Sequence, residues 1–136
     1  MTDDQKKKVL VIDDEADMRT FVSTVLKISG YVSLAAEDGE KGLELARLEE
    51  PDLVILDVMM PGIEDGIRCY HAFKAGKDTR QIPIIMLSAI ARKTFFHAIS
   101  RLHLPDGASL SEPDAYMEKP PDADGLAVLV SDVLGE

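Results

Sequence analysis

Apolar runs alternate with amphipathic stretches five times along this chain. Val9-Leu10-Val11-Ile12, Leu53-Val54-Ile55-Leu56 and Ile84-Ile85-Met86-Leu87 contain no polar residue. Such continuous, largely β-branched runs lack the alternation of a half-buried strand. They read as strands covered on both faces, as in a parallel sheet flanked by helices. Strands are predicted at Lys8–Ile12, Tyr31–Ala35, Leu53–Asp57, Ile82–Leu87 and Ala115–Met117, with Pro83 near the start of the fourth, where its missing donor does least harm. Between the first two, Met18, Phe21, Val22, Val25 and Leu26 recur at spacings of three and four. They predict a helix over Ala16–Ser29 with one buried face, stopped by Gly30. Further helices are predicted over Glu40–Leu48, roughly Gly66–Lys77, Thr94–Leu102 and Asp122–Leu134. Repeated strand-helix units imply an α/β fold with helices on both sides of the sheet.

Ligands of such sheets bind beyond the carboxyl ends of the strands. Asp13 and Asp14 follow the first strand directly and Asp57 ends the third. Converging carboxylates repel, and a proton or a cation must relieve them. Carboxylate and carbonyl oxygens suit Mg2+, with Mn2+ as an alternative. Glycine-rich loops of the G-x-G-x-x-G or Walker type are absent, which removes the main support for nucleotide binding.

The 136 residues suit one domain, preceded by a charged, flexible segment at 1–7. With 25 acidic and 15 basic residues the net charge is −10, the opposite of a nucleic-acid-binding balance. A direct DNA role is therefore not expected; a partner with a basic docking surface would be steered favourably. The start of the chain is too short of apolar residues for a signal peptide, and no run is long enough to span a membrane. A cytoplasmic protein without membrane contact is expected. The single Cys69 excludes an internal disulfide and reads as a small buried or half-buried hydrophobe.

Four stretches, in register on the predicted strand ends, carry a resemblance: Val9-Leu10-Val11-Ile12-Asp13-Asp14-Glu15, Leu56-Asp57-Val58-Met59-Met60-Pro61-Gly62 with Asp65-Gly66, Leu87-Ser88-Ala89, and Tyr116-Met117-Glu118-Lys119-Pro120. Together they resemble the receiver domain of two-component response regulators, over residues 8–136. The resemblance implies a flavodoxin-like, doubly wound fold: a five-stranded parallel sheet in the order 2-1-3-4-5, flanked by five helices. It implies that Asp57 accepts a phosphoryl group from the phosphohistidine of a histidine kinase or phosphotransfer protein. Asp13 and Asp14 would hold Mg2+ with Asp57 and the backbone carbonyl of Met59. Ser88 and Lys119 would engage the phosphoryl oxygens, Ser88 and Tyr116 would form the switch, and the Lys119-Pro120 bond would be cis. Taken singly, each residue has a duller reading: a helix cap for Asp13-Asp14-Glu15, a turn residue for Asp57, a surface charge for Lys119, packing for Tyr116. His71, His97 and His103 match no motif and read as structural or surface residues.

Two features depart from the family pattern. The loop after Asp57 is one residue longer, and the stretch between Ser88 and Lys119 is extended by about Leu104–Pro113. Its Pro, Gly and Ser content predicts an exposed loop over about 103–114, inside the family's usual partner surface. Met59 and Ile90, each two residues beyond a site residue, are apolar and unable to orient a hydrolytic water. A long-lived phosphoryl group is expected. The last predicted helix ends two residues before the final residue, so a receiver without an output domain is expected, acting on an unknown downstream protein. Two alternatives compete. A haloacid-dehalogenase-type phosphatase would need a second Asp where Met59 stands. A receiver-like interaction module would have kept the fold without phosphorylation.

Overall fold

The computed structural model describes residues 6–60, 62–99 and 112–136. Its elements run β1 Lys8–Ile12, α1 Ala16–Ile28, β2 Val32–Ala36, α2 Gly39–Glu49, β3 Leu53–Leu56, α3 Ile63–Ala75, β4 Ile84–Ser88, α4 Arg92–Ile99, β5 Ala115–Glu118 and α5 Ala123–Leu134. All neighbouring strands are parallel, in the order β2-β1-β3-β4-β5. This is the doubly wound α/β fold the sequence implied.

Side-chain alternation sorts the core into two layers. Val9, Val11, Leu53, Ile55, Ile85 and Leu87 face α1 and α5, where they meet Val22, Val25, Leu26, Leu126 and Val130. Leu10, Ile12, Val54, Leu56, Ile84 and Met86 face the opposite side and pack with Ala46, Ile67, Phe73 and Phe95 from α2, α3 and α4. Every residue of β3 is at most 1% exposed. Burial is worth about 1.5–3 kcal/mol for each large aliphatic side chain. The central strands can therefore hold their ends rigid even where like charges converge.

Local chemistry explains where the elements differ from the sequence expectation. α3 begins at Ile63, three residues earlier than Gly66, because the Asp65 carboxylate accepts the Gly62 N–H at 3.0 Å and Glu64 and Asp65 occupy the favourable first turn. Gly66 therefore lies inside the helix. A Cβ there would meet the Val58 carbonyl oxygen at 1.8 Å, so only glycine lets α3 back onto the β3 exit. β4 begins after Pro83, which cannot donate to the ladder; the following Ile84 N–H donates to the Asp114 carboxylate at 2.8 Å. β2 starts at Val32 because Tyr31 is still hydrogen-bonded back to the last turn of α1. Its N–H donates to the Leu26 carbonyl at 3.0 Å across Gly30, which has φ +94°.

Residues 1–5 of the expected N-terminal segment, Pro61, residues 100–102 of the expected fourth helix and residues 103–111 of the expected loop lie outside the described residues. Among the described residues no helix is long and apolar enough to cross a membrane.

Candidate functional site

Backbone ladders continue one step past the strand ends and fix the residues that follow. Asp13 N–H donates to the Ala36 carbonyl at 3.1 Å, Asp57 N–H to Ile12 at 2.9 Å and Lys119 N–H to Ser88 at 2.7 Å. Asp13, Asp57 and Ser88 are buried, at 2%, 2% and 0% exposure, whereas Asp14 is exposed. The carboxylate oxygens of Asp13, Asp14, Glu15 and Asp57 include a set within 4.8 Å of one another.

Lys119 closes this cluster. Its Nζ lies 3.0 Å from Asp13 Oδ2, 2.9 Å from Glu15 Oε1 and 3.4 Å from Asp57 Oδ2. The Lys119-Pro120 peptide bond is cis, as the resemblance implied. Burial opposes the Lys119 charge, but its hydrogen bonds to Glu15 and Asp13 and the charge of Asp57 outweigh that and hold its pKa above the ordinary lysine range.

Asp57 is placed differently. Burial, followed by the charge of Asp13, raises its pKa from 3.8 to about 7, against the opposing pull of Lys119. Its Oδ1 accepts the Met59 N–H at 3.2 Å, while its buried Oδ2 has no hydrogen-bond partner. A buried carboxylate oxygen that accepts no hydrogen bond and has only a long ion pair, beside a cluster of acids, is poorly satisfied and open to an electrophile or a further cation. The donor set is all oxygen, which suits a hard divalent ion at Asp13, Asp14 and Asp57.

Ser88 and Tyr116 are joined through Ile90. The Ile90 N–H donates to Ser88 Oγ at 3.2 Å, and the Tyr116 hydroxyl donates to the Ile90 carbonyl at 2.6 Å. The half-buried Tyr116 ring packs tilted against Phe95, with centroids 5.3 Å apart. Burial raises the Tyr116 pKa, and the Ser88 hydroxyl works the other way.

Asp13, Asp57 and Lys119 are thus brought into direct contact, with Asp14 at the rim and Ser88 and Tyr116 on the adjoining strand ends. Met59 is 39% exposed beside the cluster, and Ile90 is half-buried against the α2–α4 layer. Cys69 is buried, as expected, its thiol pushed up to about 12 by burial. His71 and His97 lie outside the cluster, and His103 lies outside the described residues.

Two contributors carried no assigned role in the sequence reading. Glu15 binds Lys119, and Arg19 Nη1 donates to the Asp13 carbonyl at 2.8 Å. Glu15 stood in the quoted motif, and a glutamate at a helix N-cap is itself an uncommon choice. Arg19 left no signal beyond being a polar position in an amphipathic helix.

A doubly wound sheet with acids at the ends of β1 and β3 and a lysine turned in from the end of β5 defines a receiver-type module. The chain belongs to the response regulator receiver domain family, whose model matches residues 9–106. It is 45% identical over 87 residues to a probable transcriptional regulator ycf27 of Porphyridium aerugineum, covering 64% of this chain and 35% of that protein. It is 40% identical over 114 residues to the alkaline phosphatase synthesis transcriptional regulatory protein PhoP of Bacillus subtilis, covering 84% and 42%. The chain thus spans about a third to two-fifths of the length of these relatives. Among solved structures, the chemotaxis response regulator CheY4 of Vibrio cholerae superposes with a TM-score of 0.78 at 25% identity, covering 95% of this chain and 99% of that one. A putative response regulator from Chloroflexus aurantiacus gives 0.78 at 26% identity, covering 97% and 100%.

Proposed function

We propose that this chain is a phosphoacceptor receiver: Asp57 takes a phosphoryl group from the phosphohistidine of a histidine kinase or phosphotransfer protein. The observation that carries this reading is the buried Asp57 Oδ2, which accepts no hydrogen bond and is held only by the Lys119 ammonium at 3.4 Å. A carboxylate oxygen attacks phosphorus, the O–P bond forms, and the donor's N–P bond breaks with its electron pair returning to the imidazole nitrogen, which takes up a proton. The protein's part is positioning and charge neutralisation, since phosphoryl transfer asks for little else. Lys119 supplies a compact cation for one phosphoryl oxygen, and Ser88 supplies a hydroxyl for another. Asp13, Asp14, Asp57 and the Met59 carbonyl would hold Mg2+. That ion would screen the repulsion between the anionic donor and the cluster.

The readout runs along the Ser88–Ile90–Tyr116 line. A Ser88 hydroxyl drawn to the phosphoryl group would disturb the Ile90 amide that donates to it, and with it the carbonyl that holds Tyr116. Moving a two-state equilibrium from mostly off to mostly on needs about 5.5 kcal/mol of differential free energy. Several charge-assisted hydrogen bonds at about 1.5–3 kcal/mol each would supply it. The acidic balance favours a protein partner for the switched face, in the cytoplasm where histidine kinases present their phosphohistidine. The names of the relatives as transcriptional regulators describe those longer proteins.

Intact mass after incubation with acetyl phosphate and Mg2+ tests the reading. A phosphoryl addition should form in the wild type, persist in Ser88→Ala and vanish in Asp57→Ala. If the wild type gains no such mass from acetyl phosphate or from any kinase, the non-phosphorylated interaction module replaces this reading.

A further inference from the structure

Glu15 occupies the N-cap of α1, yet its side chain makes no capping hydrogen bond. Glutamate is a poor N-cap in any case, because the favoured residues are the shorter Ser, Thr, Asp and Asn. Local helix stability therefore does not explain the residue. Its carboxylate instead reaches across to the end of β5 and binds Lys119 Nζ at 2.9 Å.

The three carboxylates around that ammonium are unequal. Asp13 and Asp57 side chains are 3% and 1% exposed, and Lys119 is 7% exposed, whereas Glu15 is 63% exposed. Asp13 is also tethered, since its Oδ1 accepts the Glu15 N–H at 2.9 Å. Only the Glu15 side chain can leave the cluster without breaking a buried contact. A lysine ammonium has three N–H donors. Two are engaged by Glu15 and Asp13, and the third faces Asp57 at the longer distance of 3.4 Å. The two shorter contacts of the ammonium are thus both held by carboxylates other than Asp57 before any phosphoryl group arrives.

We propose that Glu15 is a displaceable latch on Lys119, an exposed carboxylate that holds the ammonium until a phosphoryl oxygen on Asp57 takes its place. This rests on the phosphoacceptor reading above. Glu15 is a positioning residue: it acts through Lys119 and touches no reacting atom. Two consequences follow from its charge and contact. It raises the local negative charge that an anionic donor must approach, and it competes with the phosphoryl group for one N–H of Lys119. Removing it frees that donor and lowers the repulsion. The opposing possibility is that Glu15 serves the cation instead, since its carboxylate lies in the same acidic cluster.

The test compares wild type, Glu15→Ala and Glu15→Gln with acetyl phosphate at saturating Mg2+. Since no cap is lost, all three should melt alike. The initial phosphorylation rate should rise at least threefold in Glu15→Ala. Glu15→Gln, which keeps an accepting oxygen without the charge, should fall between. Calorimetric Kd for Mg2+ should stay within twofold across the three. The Lys119 ammonium signal in 15N NMR should shift in Glu15→Ala without any donor present, a change that loss of stability alone would not produce. An unchanged or slower rate in Glu15→Ala, or a tenfold loss of Mg2+ affinity, overturns the latch while the wild type still phosphorylates. A wild type that gains no phosphoryl group sinks the phosphoacceptor reading and the latch together.

Discussion

Lys119 Nζ stands 3.4 Å from Oδ2 of Asp57, and that oxygen is buried without a hydrogen-bond partner. The ammonium attracts Asp57 but is claimed more closely by Asp13 and Glu15. Asp57 therefore feels burial more than compensation, and its pKa rises from 3.8 to about 7. A folded state that holds this proton more tightly than the unfolded chain loses stability as pH rises through that window, and the full loss is present above it. In chelator, Asp57→Asn should melt about 3–6 °C above wild type at pH 8, with the gap closing towards pH 4. A lower melting point for Asp57→Asn at pH 8 would contradict the charge balance described here.

Gly66 should be among the least replaceable positions in the chain. Its absent Cβ leaves room for the Val58 carbonyl, a backbone atom that cannot rotate aside. Gly66→Ala should lower stability by about 2–4 kcal/mol, because α3 must move off the β3 exit. Urea unfolding of the two proteins measures the difference, and the same shift should weaken Mg2+ binding by displacing the loop that follows Asp57.

On the proposed phosphoacceptor reading, Met59 and Ile90 should set how long a phosphoryl group survives. Met59 lies partly exposed beside Asp57, and its N–H donates to Asp57 Oδ1 at 3.2 Å. A side chain that can hydrogen-bond water at this position would sit against the reacting carboxyl. Met59→Asn and Ile90→Glu should each accelerate phosphoryl loss, by about tenfold or more, if an oriented water limits decay. Phosphoryl half-life followed by intact mass decides it; no acceleration in either variant removes the idea.

Cys69 should be chemically silent in the native protein. The thiol is 6% exposed and its pKa is pushed up to about 12. Since the thiolate is the reactive form, labelling by a disulfide reagent at pH 8 should be at least about 100-fold slower in the native than in the urea-unfolded protein. The native rate should still climb with pH beyond pH 10. Fast labelling at neutral pH would show that α3 opens away from Gly39, the residue whose missing Cβ leaves room for the Sγ.

Tyr116→Phe tests the link between the proposed switch and the sheet. It deletes the 2.6 Å hydrogen bond to the Ile90 carbonyl while keeping the ring against Phe95. Stability should fall by about 0.5–1.5 kcal/mol, with phosphorylation of Asp57 retained. Loss of phosphorylation in this variant would mean that Tyr116 shapes the acceptor site itself.

Much of this arrangement was legible from residue order alone. The strand runs were readable because burial on both faces demands continuous apolar residues, and β1, β3 and β4 comply. Asp13, Asp14 and Asp57 were readable because they stand where those runs end. The start of α3 was misplaced because the stretch leading into it, Asp65 and Gly66 included, is poor in large apolar residues. In the folded chain the Asp caps and the Gly permits a close helix-sheet approach, and both facts depend on the neighbouring backbone. Glu15 and Arg19 were readable only as charges, since their partners lie in other elements or on a carbonyl whose direction the fold sets.

The amino-acid sequence by itself determined the five strand-helix units, the acids at two strand ends and the membership of a family, because hydrophobic periodicity and short motifs are local properties. Only the tertiary structure decided which carboxylates Lys119 binds, which Asp57 oxygen is left without a hydrogen bond, and how Ser88 reaches Tyr116 through Ile90. Those relations span up to 104 residues of chain, as between Glu15 and Lys119, and they exist only when parallel pairing brings the strand ends to one place.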